Sequence, residues 1–221
     1  MSPPDTAPVI QVDIVSDVMC PWCIVGFRQL EQALAATGMG ARVRWQPFEL
    51  NPDMGPEGQN LAEHIAQKYG ASPEQSAQNR ARLQQIGQSL GIDFAFTPDS
   101  RIVNSFAAHQ LLEFALGVGL QHPLKLALFR AHFTDQRDVS DPDVLLDVAE
   151  AVGIVRADAA QVLDSGVLAD PVRQKQAFWT SRGISGVPSM IFAETYLVTG
   201  AQGAETYAEL LQKVAQEEKV A

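Results

Sequence analysis

The N-terminal part of the chain combines short apolar runs with one longer stretch of helical periodicity. Residues 9–15 are rich in β-branched side chains with single polar breaks and predict a strand. Residues 24–36 carry apolar side chains at helical spacing and predict a helix, and residues 41–48 alternate polar and apolar positions and predict a second strand. A strand, a helix and a strand in this order predict a βαβ unit, whose two strands are parallel.

The middle of the chain, residues 59–182, has almost entirely helical periodicity. Gly70 ends one of the predicted helices, and Pro73 and Pro142 begin two others. Residues 92–96 are a short apolar piece that we expect to be extended. The stretch therefore predicts a block of several helices rather than a continuation of the βαβ pattern.

Short apolar runs return near the C-terminus. Residues 184–193 read as a loop that enters a strand, residues 196–199 as a second strand, and residues 204–215 as a final helix. The pattern thus predicts an α/β fold of βαβ…ββα order with an inserted all-helical domain. The expected units are a discontinuous α/β domain (9–58 and 183–218), a helical insertion (59–182) and a disordered tail (1–8).

The candidate chemistry lies between the first strand and the first helix. The two cysteines of the chain, Cys20 and Cys23, stand there with Pro21 and Trp22 between them. Unpaired N–H groups and the dipole at a helix N-terminus stabilise a thiolate, and proline fits the first helical position. We therefore predict a redox dithiol, with the pKa of Cys20 below its usual value of about 8.5.

Other roles for the cysteine pair are less compatible with the sequence. A disulfide that closes a loop of four residues removes only about 2 kcal/mol of unfolded-state entropy. Zinc sites normally need four ligands, and the closest two histidines, His122 and His132, are ten positions apart. We expect no metal site. An inert pair of buried thiols stays open as an alternative.

Composition restricts the partners. A net charge of −10 and the lack of a basic run argue against nucleic acid and against anionic membranes. No apolar run reaches the length of a membrane span, and the N-terminus has neither the basic region nor the apolar region of a secretory signal. We expect a cytoplasmic protein, in which a dithiol is mostly reduced.

Several segments resemble those of DsbA-like proteins, which have a thioredoxin fold with an inserted helical domain, and in particular those of the FrnE-type branch. The resemblance extends over nearly the whole chain. Its segments are residues 16–23, 48–52, 104–109, 183–188 and 200–202. It implies that Val187-Pro188 is a cis-proline pair facing the dithiol, with Pro21 and Trp22 as active-site support. It also places Asn104 and His109 beside the substrate cleft, although a helix cap and a packed histidine explain these two residues equally well.

The resemblance implies a thiol–disulfide oxidoreductase. Cys20 would attack, Cys23 would resolve the mixed disulfide, and the substrate would be a protein or a small molecule with a disulfide or thiols. No tightly bound cofactor is expected, and glutathione is a candidate reductant. Two alternatives stay open. One is a glutathione-dependent isomerase or transferase of the 2-hydroxychromene-2-carboxylate isomerase or kappa-class type, which has a serine in place of Cys20. The other is a non-catalytic chaperone-like module.

One position departs from the wider thioredoxin pattern. Many thioredoxin-fold enzymes have a buried acid six residues before the first cysteine, where this chain has Ile14. Asp13 should face the other side of the strand, because neighbouring side chains alternate. Asp17 is left as a candidate for proton transfer or for capping of the first helix.

Overall fold

The structure is a computed structural model that describes residues 8–218. The predicted tail, residues 1–8, lies outside the described residues except for Pro8. The first elements are β1 (Val9–Ser16), α1 (Pro21–Thr37) and β2 (Gly40–Pro47). β1 and β2 pair in parallel along their whole length, as the βαβ pattern predicted.

The chain leaves this unit at the carboxyl end of β2 and enters a mainly helical segment. Two short strands pair antiparallel within it, and seven helices make up most of the rest of its regular structure. The elements are β3 (Gln59–Asn60), α2 (Leu61–Tyr69), α3 (Pro73–Ser89), β4 (Arg101–Ile102), α4 (Phe106–Gly117), α5 (Gln121–Phe133), α6 (Pro142–Ala151), α7 (Arg156–Ser165) and α8 (Ala169–Ser181).

The last elements complete the sheet. They are β5 (Ser189–Phe192), β6 (Tyr196–Thr199) and α9 (Ala204–Glu218). The strand order is β2-β1-β5-β6, with β5 antiparallel to β1, and α9 packs against α1. This arrangement confirms the predicted α/β thioredoxin-like fold with a helical insertion.

Two hydrophobic clusters form the core. One surrounds the sheet and includes the side chains of both cysteines, and the other lies among α4 to α7. Val18 and Met19, directly before the dithiol, belong to the second cluster. The segment that carries the cysteines is therefore packed between the sheet and the helical insertion. The domain limits given above stay a prediction.

Helix α1 begins at Pro21, which is the first helical position predicted for this proline and lies three residues before the apolar periodicity starts. Residues 92–96 are in neither a helix nor a regular strand. The short β3–β4 pair was not predicted, because two residues are too few to show a period.

Candidate active site

The dithiol lies at the N-terminus of α1. Cys20 is the N-cap residue with an extended backbone, and Pro21 occupies the first turn. The Cys20 amide donates to the Asp17 carbonyl over 3.2 Å, and the Cys23 amide donates to the Cys20 carbonyl over 3.1 Å. These bonds close two successive tight turns, 17–20 and 20–23, at the start of the helix. Both thiols are free, and their residues are 3% and 0% exposed.

The loop before β5 closes one side of the dithiol. The Val187–Pro188 peptide bond is cis, as the resemblance implied. The Cys20 thiol donates to the Val187 carbonyl over 3.5 Å. Gly26 of α1 permits this close packing, because a Cβ there would lie 3.1 Å from the Met190 side chain and 3.3 Å from that of Pro188.

The two thiols differ in how well they carry a negative charge. A hydrogen bond with Cys23, together with burial, raises the pKa of Cys20 well above its ordinary value. Burial also opposes ionisation of Cys23, but the Cys20 thiol, the charge of Lys125 and the Ser16 hydroxyl outweigh it and lower the pKa of Cys23. The expected low pKa of Cys20 is therefore wrong for the reduced structure: the thiolate of the pair is stabilised at the deeper sulfur.

Lys125 of α5 is the residue that sequence reasoning missed. Its side chain is 0% exposed, and Nζ lies 3.4 Å from the Ser16 carbonyl oxygen. The ammonium also lies 4.8 Å from the centre of the Phe129 ring and 5.4 Å from that of Trp45. Burial lowers the pKa of Lys125 to about 8, against the opposing charges of Cys23 and Asp17.

A sequence signal for Lys125 exists. The buried residues of α5 include Gln121, Leu124, Lys125, Leu128 and Phe129, which follow the spacing of one helix face. A lysine at such a position is unusual, because lysine is almost never fully buried without a partner. The pattern therefore marks Lys125 as a side chain that points into the interior.

Asp17 is buried, and both of its carboxylate oxygens have polar partners. Its carboxylate accepts from the Met19 amide over 3.2 Å and from the Leu50 amide over 2.7 Å, and lies 3.5 Å from His109 Nε2. Burial raises the pKa of Asp17, but the hydrogen bond and charge of His109 and the Leu50 amide lower it to a net value below the ordinary one. These contacts, rather than a cap on α1, occupy the carboxylate and join the dithiol segment to the loop after β2 and to α4.

Ile14 and Asp13 point to opposite faces of β1, as the alternation of the strand predicts. Ile14 is fully buried in the sheet core. Asp13 faces the other side of β1, where it binds Arg44 over 2.5 Å and Gln46 over 2.6 Å. Neither position supplies the dithiol with an acid.

The polar contacts of the two remaining cleft candidates are with groups other than the cysteine sulfurs. Asn104 accepts from the Phe106 amide over 2.8 Å and donates to the Met54 carbonyl over 3.0 Å, so it shapes the start of α4. His109 is 2% exposed beside Asp17. Neither residue lines the large cavity next to Cys20.

That cavity has a volume of about 660 Å³. Its floor includes Cys20, Pro21, Trp22 and Val187, and α2 and α3 form its far wall. Of the two cysteines only Cys20 lines it. The predicted active-site residues are thus brought together at one opening, with Cys23 behind them. Within residues 8–218 no group of three acidic, histidine or cysteine side chains has a geometry suited to a metal ion.

Comparison with known proteins finds a family model and a relative that each match most of the chain. A sequence model of the DSBA-like thioredoxin domain matches residues 11–212. The uncharacterized protein YwbO of Bacillus subtilis (strain 168) is 26% identical over 204 residues, which span 91% of this chain and 96% of YwbO.

Solved structures show the same similarity. A probable DsbA oxidoreductase from Streptomyces coelicolor has a TM-score of 0.89 and 31% identity, with 94% of this chain and 91% of that chain covered. A 2-hydroxychromene-2-carboxylate isomerase has a TM-score of 0.67 at 15% identity, with 96% and 99% covered, and at that identity it shows the fold alone. None of the helices in the described part of the chain has the length and apolar character needed to cross a membrane.

Proposed function

The chain belongs to the DSBA-like thioredoxin domain family, and on that premise we propose that it is a thiol–disulfide oxidoreductase that works through Cys20 and Cys23. The observation that carries the proposal is the placement of the two sulfurs. Cys20 lines an open cavity beside the Val187 carbonyl, and Cys23 lies directly behind it, where donors and a cation stabilise a thiolate. Cys20 can therefore react with a substrate, and Cys23 is placed to resolve the mixed disulfide.

The reaction passes through a mixed disulfide. Proton transfer from Cys20 to Cys23 within the pair gives the Cys20 thiolate, which attacks one sulfur of a substrate disulfide. The substrate S–S bond breaks, and the leaving thiolate takes up a proton. Cys23 then loses its proton and attacks the Cys20 sulfur, which forms the Cys20–Cys23 disulfide and releases the second substrate thiol. Two electrons pass to the substrate, and the reverse steps oxidise a dithiol.

Lys125 takes the role in proton transfer that a buried acid at position 14 has in many thioredoxin-fold enzymes. Its charge stabilises the thiolate of Cys23, and a pKa of about 8 leaves part of the amine free to accept the Cys23 proton near neutral pH. After the disulfide forms, the thiolate charge is gone and the buried ammonium loses a counter-charge. The proton then leaves more easily toward the substrate thiolate.

Within the family, we place the chain in the FrnE-type branch. The support is the set of matching segments, two of which are joined in the structure by the hydrogen bond from the Leu50 amide to Asp17. We further propose a cytoplasmic protein with no tightly bound cofactor and with glutathione as the reductant. Recovery of the reduced dithiol by reduced glutathione, followed through the fluorescence of Trp22, tests this last proposal.

Two single variants test the central proposal. Cys23→Ser should form a stable mixed disulfide with a disulfide substrate, because the resolving thiol is gone. Cys20→Ser should form none and should lose at least about 100-fold in the dithiothreitol-driven reduction of insulin. Mass spectrometry detects the adduct. Unchanged turnover by Cys20→Ser would show that the redox assignment is wrong.

A further inference from the structure

We propose that the substrate of this dithiol is a low-molecular-weight disulfide with carboxylate groups, bound in the cavity next to Cys20 by arginines of α3. The inference rests on the proposed function, since it names the substrate class of the same site. It is carried by the burial of Cys20, by the size of the cavity and by the charges along its wall.

Access to the sulfur favours a small substrate. Cys20 is only 3% exposed, although it must be reached by a substrate sulfur. It lines a cavity that side chains of α2 and α3 also line. A small flexible disulfide reaches a sulfur in such a cavity more readily than a disulfide on the surface of a folded protein does.

The volume of the cavity matches this class of ligand. Sites for small molecules typically enclose about 300–1,000 Å³ and combine apolar walls with a few placed polar groups. The cavity of about 660 Å³ lies within this range. Trp22, Leu50, Leu83, Phe96 and Phe133 contribute apolar walls.

The charges along the cavity favour an anion. Four arginines and two aspartates line it, although the whole chain has a net charge of −10. Burial lowers the pKa of His132 to about 4, and burial likewise lowers that of His64, so these lining histidines are neutral at neutral pH. The wall is therefore positive in a protein that is otherwise acidic.

Two of the arginines are available to a ligand. Arg101 donates to the Glu57 carbonyl, and Arg137 is paired with Asp147 over 2.7 Å. Arg80 and Arg82 of α3 form no ion pair within residues 8–218. Guanidinium groups bind carboxylates through paired hydrogen bonds, which gives direction as well as attraction.

Three disulfides of similar size and different charge test the proposal. They are 3,3′-dithiodipropionate, 2-hydroxyethyl disulfide and cystamine, which are dianionic, neutral and dicationic at neutral pH. The rate of oxidation of the reduced protein is measured through Trp22 fluorescence and divided by the rate of the same disulfide with dithiothreitol. This division removes the intrinsic reactivity of each disulfide. We expect the dianion to exceed the dication at least tenfold, and to exceed the insulin disulfides.

The double variant Arg80→Gln/Arg82→Gln identifies the source of the preference. It should reduce the ratio of dianion to dication at least about threefold, with a larger loss of rate for the dianion than for the neutral disulfide. Arg130→Gln is the matched control, because Arg130 is an exposed arginine of α5 that does not line the cavity. This control should keep the ratio of the wild type.

The outcomes separate the two proposals. Three results would overturn the substrate class and leave the oxidoreductase function standing. They are equal normalised rates for the three disulfides, a faster reaction with insulin, and equal effects of Arg80→Gln/Arg82→Gln and Arg130→Gln. A reduced protein that reacts with none of these disulfides would overturn both.

Discussion

The buried ammonium group of Lys125 lowers the pKa of the Cys23 thiol. Burial lowers the pKa of Lys125, and the charges of Cys23 and Asp17 oppose this; Asp17 is already bound by two amides and by His109. Glu113 and His109 of α4 line a second, small cavity together with Lys125. The Cys23 thiolate is thus the partner that gains most from this charge.

Removal of the charge should therefore make the dithiol less acidic. In Lys125→Met the chain keeps a side chain of similar length, but the Cys23 thiolate loses a cation in a medium where charge interactions are strong. We expect the apparent pKa of the pair to rise by about one unit or more, which is worth about 1.4 kcal/mol. Absorbance of the thiolate near 240 nm as a function of pH measures it.

A surface lysine provides the control for this titration. Lys213→Met removes a cation from α9, where the ammonium lies over the Tyr196 ring, and should leave the titration of the dithiol unchanged. If Lys125→Met and Lys213→Met titrate like the wild type, the charge of Lys125 does not stabilise the thiolate. Because two coupled thiols share the titration, the measured value belongs to the pair.

At the scale of elements, the wall of the cavity depends on how α3 ends. Gly87 lies in the last turn of α3, and its carbonyl accepts from the Ile92 amide over 2.8 Å. The chain then passes Phe94, whose ring packs edge-on against Phe133 of α5 at 5.4 Å. Because the Phe94 ring also packs against Gly87, this contact connects the last turn of α3 to α5.

A methyl group at Gly87 should loosen this junction. The added Cβ of Gly87→Ala would lie 2.5 Å from a Phe94 ring carbon and 2.8 Å from the Ile92 carbonyl oxygen. Overpacking of this kind typically costs about 1–3 kcal/mol, which outweighs the gain of up to about 1 kcal/mol from better helix propensity. We expect a lower free energy of unfolding in urea.

Gly117→Ala is the matched substitution. Gly117 is the last residue of α4, and a Cβ there meets nothing within 4 Å. This variant should be neutral or slightly stabilised. Equal stability of the two alanine variants would show that the contact between α3 and Phe94 does not carry the expected strain.

Elements with a clear period were the ones that the sequence could predict. The alternation in β2 and the helical spacing of α9 each reflect one buried face, so both positions agree with the prediction within a few residues, and α6 begins at Pro142 as predicted. β3 and β4 pair through only two residues each and are held by neighbouring loops. No local pattern describes such a contact.

At the scale of the whole molecule, the sequence predicted those site residues that are close together in the chain or that belong to a family segment. Cys20, Cys23 and Pro21 are neighbours in the chain, and Val187 came from a family segment. Lys125 reaches the dithiol from a separate helix, and its approach depends on how the insertion packs on the sheet. The same packing determines which thiol carries the charge, and so the sequence assigned the lowered pKa to the wrong cysteine.

Burial of Lys125 should also be visible in the stability of the whole molecule. Its pKa falls from 10.5 to about 8 in the folded state, which corresponds to a cost of about 3 kcal/mol for the charged form at neutral pH. The unfolded state binds more protons between these two values, so stability should rise with pH through this window. Lys125→Met lacks this rise.

The comparison is cleanest when no thiol titrates, in the Cys20→Ser/Cys23→Ser background. There Lys125→Met should be more stable than its parent by about 1–3 kcal/mol at pH 7, because the variant no longer buries a charge. The difference should shrink as the pH rises from about 8 toward 10.5, because in this window mainly the unfolded state still binds the proton and rising pH disfavours that state. Urea unfolding at pH 7 and pH 9.5 measures both values. A difference that is the same at the two pH values would mean that Lys125 is not destabilised by its burial, and that the fold does not give up stability to hold a cation beside the dithiol.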